Sequence, residues 1–192
     1  MARNLRRRAP SLTGQLLVAA PALQDPNFER AVVYVIAHDS DGAYGVVLNR
    51  ATELPIRDVL PDGECAAASP DVVFEGGPVE PNGAICLARL APGALAPKIY
   101  EPVSGPVGTL DLRAGLGDAH VSLSALRVFS GYAGWAPEQL RDEIQLGAWI
   151  VIDALPGDPF VDNPEDLWSM VLRRQSGLLA AIAHFPPDPV LN

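Results

Sequence analysis

Residues 31–37, Ala-Val-Val-Tyr-Val-Ile-Ala, are the longest uninterrupted apolar run in the chain. Val32, Val33, Val35 and Ile36 are β-branched, which favours extended backbone. The run is apolar on both faces, so it predicts a central strand covered on two sides. Seven residues are far short of the roughly 20 a membrane helix needs, and no membrane span is expected. A chain of 192 residues can supply the necessary core without a metal or disulfide staple. Its 48% apolar and 19% charged residues are those of a globular protein.

The pattern around that strand mixes strands and helices irregularly. Residues 14–20 read as a first strand, stopped by Pro21, with a turn cluster at residues 24–27. Residues 39–42, Asp-Ser-Asp-Gly, predict a hairpin loop slightly longer than two residues, returning into a strand over 43–48. Residues 54–60 read as a short helix capped by Thr52, followed by a loop over 61–70. Further strands are expected at 72–74, 84–90, 107–112, 126–132 and 148–152, with an irregular, proline-rich connection over 92–106. Residues 120–125 are ambiguous between strand and helix. Helices are predicted over 137–146, with Pro137 at the start and Gly147 past the end, and after Asn163-Pro164, a capping residue followed by proline. Residues 178–184 read as one more apolar helix or turn. Strands dominate, which predicts an α+β layered fold rather than a regular βαβ winding.

Charge narrows the partners. The net charge is −9, yet Arg3, Arg6, Arg7 and Arg8 crowd the first eight positions without an acid. Beyond them ten Lys and Arg face all 23 acidic residues, a balance of −13. Such a body repels phosphate backbones, so direct nucleic-acid binding is not expected. Residues 1–11 are read as a basic, disordered arm and 12–192 as a single domain. The arm and residues 16–20 do not make a signal peptide, because the apolar stretch is too short. Cys65 and Cys86 read as a pair of buried cytosolic thiols, and a cytoplasmic location is expected.

Complete chemical motifs are missing from the sequence. The Gly115-Leu116-Gly117 stretch lacks the third glycine of a dinucleotide loop and reads as a turn. Asp39 and Asp41 lack the later carboxylates of a calcium loop. His38, His120 and His184 have no neighbours at zinc-ligand spacing, so neither metal nor cofactor is expected. Two segments stand out. In Glu75-Gly76-Gly77-Pro78, the glycines permit close backbone approach, and Glu75 has the chemistry of a base. In residues 131–144, Trp135, Gln139 and Glu143 are four apart and would share a helix edge if the first turn began at Trp135. Glu143 would then sit between core and surface, as an acid or base or as the partner of an arginine.

Three blocks together resemble the YqgE/AlgH family of bacterial proteins. They are residues 14–28, with Gly14-Gln15-Leu16-Leu17-Val18-Ala19, Pro21, Leu23, Asp25 and Phe28. The second is residues 42–50, and the third is Gly76-Gly77-Pro78-Val79 with residues 131–143 and Gly147-Ala148-Trp149. The match runs over about residues 12–175, and the Pro186-Pro187-Asp188-Pro189 tail fits a subset of members. The resemblance implies a mixed, branched β-sheet folded into a pseudo-barrel with peripheral helices. It implies no reaction. A regulatory label on some members implies transcriptional effects, but no helix-turn-helix with a basic recognition helix is present here. Family positions found in this sequence are Asp25, Phe28, His38, Asn49, Gly76, Gly77, Gly131, Trp135, Gln139, Leu140, Glu143 and Trp149. These positions other than Leu140 and Trp149, together with Arg50 and Glu75, form the candidate binding surface.

The sequence thus points to a non-enzymatic cytosolic protein that binds a protein or small-molecule partner. Its binding surface would be made by Asn49-Arg50, Gly76-Gly77 and the Trp135-to-Glu143 segment. The alternatives are a hydrolase using Glu75 or Glu143 with His38, and a transcriptional regulator acting directly or indirectly.

Overall fold

The computed structural model describes residues 10–184. Ten strands carry the fold: β1 (Gln15–Ala19), β2 (Val32–Asp39), β3 (Gly42–Val47), β4 (Ala51–Pro55), β5 (Val72–Glu75), β6 (Val79–Leu90), β7 (Tyr100–Ser104), β8 (Val107–Leu110), β9 (Leu123–Trp135) and β10 (Trp149–Asp153). Three short helices accompany them: α1 (Gln139–Gln145), α2 (Leu167–Arg173) and α3 (Leu178–Ile182). The main path of the sheet is β10-β1-β2-β3-β9-β6-β8-β7, and β4 and β5 branch from it onto β9. Every pairing is antiparallel except β5 with β9.

The long apolar run explains this architecture. Side chains alternate across a strand. Val32, Tyr34 and Ile36 of β2 enter one core, while Val33 and Val35 enter another on the opposite face. The first core fills the inside of the curled sheet, where Phe74, Leu87 and Phe129 meet Trp168, Val171 and Leu172 of α2. The second lies under α1 and is rich in aromatic rings, with Trp135, Trp149 and the partly buried Phe28. A third core covers the outer side of β6, β8 and β9, closed by Ile56 and Leu116 from helical turns.

The sheet branches at β9. One edge of β9 pairs with β6 from Leu123 to Tyr132. On the other, Phe129 and Ser130 pair with β5, and residues 133–135 pair with β3. Gly76 lies between the two: its amide donates to the Ser130 carbonyl, and its own carbonyl accepts from the Val47 amide.

Some sequence expectations are corrected. Residues 54–60 do not form an α-helix: β4 runs to Pro55, and a single 3-10 turn, Ile56–Asp58, follows. Thr52 caps nothing; its hydroxyl donates to the Val73 carbonyl at 2.7 Å and ties β4 to β5. The loop over 61–70 includes a 3-10 helix, Pro61–Ala66. The proline-rich connection contains β7, in which Pro102 is tolerated because β7 is the terminal strand of the path. Residues 120–125 divide between a 3-10 turn ending at Ser122 and the start of β9. The hairpin after β2 has a two-residue loop, Ser40-Asp41, because Asp39 pairs with Gly42. Asn163 makes no side-chain cap; the segment enters a 3-10 turn, Pro164–Asp166, and then α2. The first nine residues of the basic arm and the Pro186–Pro189 tail lie outside the described residues. Among the described residues no helix is long and apolar enough to cross a membrane.

The expectation of two buried thiols holds for one cysteine only. Cys65 is exposed, whereas Cys86 is buried in the third core. Burial pushes the Cys86 thiol up to about 12, against a smaller lowering by a backbone hydrogen bond. The thiolate is the reactive species, so Cys86 is inert at neutral pH. Ellman's reagent at pH 8 is expected to titrate one thiol in the native protein and two in denaturant; two fast native thiols would show that the third core is open.

Candidate functional site

The residues picked out from sequence fall into three structural groups and one groove. The first group centres on Glu143 of α1. Its Oε2 accepts hydrogen bonds from Nε1 of Trp135 at 2.9 Å and Nε1 of Trp149 at 2.8 Å. Its Oε1 accepts from Nε2 of Gln139 at 2.9 Å, and Gln139 Oε1 in turn accepts from the Ala136 amide. Phe28 packs against both indoles, stacked on Trp135 at 6.3 Å and edge-on to Trp149 at 5.5 Å. Trp135 and Glu143 do meet, but not along one helix edge. Trp135 ends β9, and α1 begins four residues later. Glu138 enters α1 with φ 64°, a left-handed turn that lets a short helix fold back over the strand end. The expected arginine partner of Glu143 is replaced by two indoles and an amide.

A half-buried carboxylate with three donors makes charge-assisted, strong hydrogen bonds. Glu143→Gln turns one acceptor into a donor facing Gln139. The expected loss is about 1–2 kcal/mol, read as a lower urea midpoint together with a change in tryptophan fluorescence. An unchanged midpoint would mean that the indole contacts contribute nothing.

The second group braces the segment leading into β2. The Asn49 side chain accepts from the Val32 amide through Oδ1 and donates to the Arg30 carbonyl through Nδ2, both at 2.9 Å. Arg50 donates to the carbonyls of Glu29 and Pro26. Asp25 accepts from the Asn27 amide and closes the turn below them. His38 is also a brace: its Nδ1 accepts from the Leu12 amide at 3.0 Å, its carbonyl accepts from the Ser11 hydroxyl, and its amide donates to Thr13 Oγ1.

The third group is the crossing at the branch. Gly131 has φ +69°, and a Cβ there would lie 2.4 Å from the Gly77 carbonyl oxygen. A Cβ on Gly77 would lie 2.3 Å from the carbonyl carbon of Tyr132. Only glycines allow β5 and β9 to pass at this separation. The Gly76-Gly77 pair therefore shapes the branch point. Glu75 is exposed at the end of β5.

The groove lies where β2, β3, β9 and β6 meet at the open end of the curled sheet. It holds about 490 Å³ and is walled by Ala37, Tyr44, Ile85, Tyr132, Gly134 and Trp135, with Asp39 and Asp41 also lining it. Tyr44 and Tyr132 meet edge to face, with centroids 6.0 Å apart. Burial, followed by the charge of Glu101 on β7, raises the pKa of the Tyr44 hydroxyl. A narrow crevice lined by His38, Glu138 and Arg141 adjoins the groove and shares Asp39, Gly42 and Ala43 with it. Of the sequence-derived set, Trp135 lines the groove itself and His38 the crevice. Sequence reading did not place Tyr44, Tyr132, Asp39 and Asp41 in one groove; the pairing of Tyr44 with Gly134, two residues from Tyr132, depends on β3 lying beside β9.

No hydrogen bond or ion pair among the described residues joins Glu75, Glu143 and His38. Each of the last two has its near polar neighbours satisfied as given above. The described residues also contain no cluster of three or more His, Cys, Asp or Glu able to hold a metal.

Residues 16–180 match the AlgH-like family model. The chain belongs to the AlgH-like family. The match agrees with the span of about 12–175 read from sequence. A relative from Streptomyces coelicolor, UPF0301 protein SCO2948, is 50% identical over 185 residues, covering 95% of this chain and 96% of the relative. A UPF0301 protein from Thermobifida fusca is 45% identical over 190 residues, with 95% and 96% covered. The crystal structure of protein DIP2367 from Corynebacterium diphtheriae superposes with a TM-score of 0.86 at 30% identity, covering 96% of this chain and 95% of that one. The solution structure of the AlgH protein from Pseudomonas aeruginosa gives 0.67 at 26% identity, covering 97% and 98%. The family fold, a strand-dominated mixed sheet curled into a half-barrel with a few helices, is the one described here.

Proposed function

We propose that this chain is a non-enzymatic binding protein of the cytoplasm, and that its ligand seats in the Tyr44–Tyr132 groove beside Trp135. The supporting observation is the groove itself. Its volume of about 490 Å³ falls within the roughly 300–1,000 Å³ of small-molecule sites. Its wall is apolar and aromatic, with a few polar groups at one end, the composition such sites have. The remaining candidate residues act as the frame. Phe28, Gln139 and Glu143 hold the Trp135 wall; Asp25, Asn49 and Arg50 fix the entry to β2; Gly76, Gly77 and Gly131 set the branch, with Glu75 beside it. A wall held by its own hydrogen bonds is preorganised for a ligand.

The reading is tested by amide chemical shifts of the ¹⁵N-labelled protein. The probes are 4-phenylbutylammonium, 4-phenylbutanol and 4-phenylbutyrate, which share one body and differ in charge. At least one is expected to shift the Gly42, Tyr44 and Gly134 amides saturably. Tyr44→Ala should weaken that binding about tenfold or more; Tyr44 is 39% exposed, so the fold should survive its loss. No saturable shift with any of the three would overturn the reading.

A further inference from the structure

We propose that the groove selects a cation: an ammonium or guanidinium group carried on an apolar body. The inference rests on the binding reading above and deepens it.

Among the described residues, the charged side chains that line the groove are acidic: Asp39 and Asp41 line it, and no described Lys or Arg does. Asp39 Oδ1 accepts from the Asp41 amide at 2.7 Å, which fixes the carboxylate at the hairpin tip. Glu101 on β7 does not line the groove, but its charge acts in the same sense on the Tyr44 hydroxyl. Arg141 lines the adjoining crevice and is paired with Glu138. Its charge is therefore compensated locally.

The aromatic pair adds an independent preference. Ring faces carry negative quadrupole density and attract a cation within about 6 Å. Tyr44 and Tyr132 stand edge to face and line the same groove as the two acids. Ile85 and Ala37 supply an apolar floor for the body of the ligand. An anion would face like charges there, and a neutral molecule would gain only the floor. A carboxylate pair at a partly wet mouth favours a cation by about a factor of ten.

The same three probes decide the matter. 4-Phenylbutylammonium is expected to bind about tenfold more tightly than 4-phenylbutanol, and 4-phenylbutyrate more weakly than both. The double change Asp39→Asn, Asp41→Asn should bring the cation down to the level of the alcohol and leave alcohol binding unchanged. Asparagine keeps the acceptor that holds the turn, and an unaltered melting temperature would confirm that the fold is intact. Raising salt from 0.05 to 0.5 M (concentrations about the screening range) should narrow the preference in the parent protein only. If alcohol and ammonium bind alike, the cation inference fails while the groove stands as a site. Silence from all three probes removes both. A preference that survives in the double variant would also sink the role given to the two aspartates.

Discussion

Arg127→Met is expected to destabilise the protein by about 3 kcal/mol. Arg127 is 1% exposed and faces no carboxylate within the range of an ion pair. Its guanidinium is held by main-chain oxygens instead. Nη2 donates to the carbonyls of Ser69 and Val161, and Nη1 to that of Pro159. It also lies 4.2 Å from the centre of the Phe74 ring. Burial pushes its pKa down to about 10, with Asp162 acting weakly in the other direction, so the group is charged at neutral pH. Its Nε has no partner, which shows that the charge is held at some cost. Methionine would relieve that cost and fill part of the volume. It would also leave three carbonyls without a donor and detach the segments at Ser69 and residues 159–161 from β9. The second effect is larger: the Pro159 acceptor is buried, where an orphan costs about 1–3 kcal/mol, and those of Ser69 and Val161 are partly shielded and add less. For a chain of this size the loss corresponds to a melting temperature lower by about 6–12 °C. Urea denaturation checks it: a change below about 1 kcal/mol would mean that the carbonyls find water instead.

Gly131→Ala is expected to cost about 3 kcal/mol or more, by a different route. Left-handed backbone costs an L-residue about 1–2 kcal/mol. To this is added the collision of the new methyl with the Gly77 carbonyl, at 2.4 Å. That atom belongs to backbone held in the branch, so it cannot move aside alone. Gly93 supplies the control. It has φ +75°, and a methyl added there would meet nothing within 4 Å, so Gly93→Ala carries the strain without the clash. The difference between the two variants is the energy of the crossing. Equal losses would mean that β5 and β9 can separate freely.

Both effects sit where local pattern is least informative. The double-sided burial of β2 was legible because alternate residues of one short segment, Val32 to Ile36, are all apolar. The glycine crossing was half legible. Gly76-Gly77 signalled close approach, but its partner Gly131 lies more than 50 positions along the chain, and nothing local links them. β7 was hidden because its proline content resembles a loop, and only its place at the edge of the sheet permits the strand. Thr52 resembled a helix cap because its hydroxyl serves equally well across a sheet. At the site, the spacing of Trp135, Gln139 and Glu143 predicted their meeting, though on the wrong scaffold. Trp149 reaches the same carboxylate from a strand, so period alone could not have placed it. Tyr44 and Tyr132 were invisible as a pair, because their apposition depends on β3 and β9 lying side by side.

β9 is a structural member common to both halves of the molecule, and this has a consequence for how the protein comes apart. Its hydrogen bonds to β6, β5 and β3 mean that peeling away any one neighbour bares one of the interior layers while the rest still grip the same strand. Partial opening is therefore penalised twice, once for lost pairing and once for wetted side chains. Disassembly is expected to be concerted, with amides at the centre of β9 the slowest to exchange with solvent.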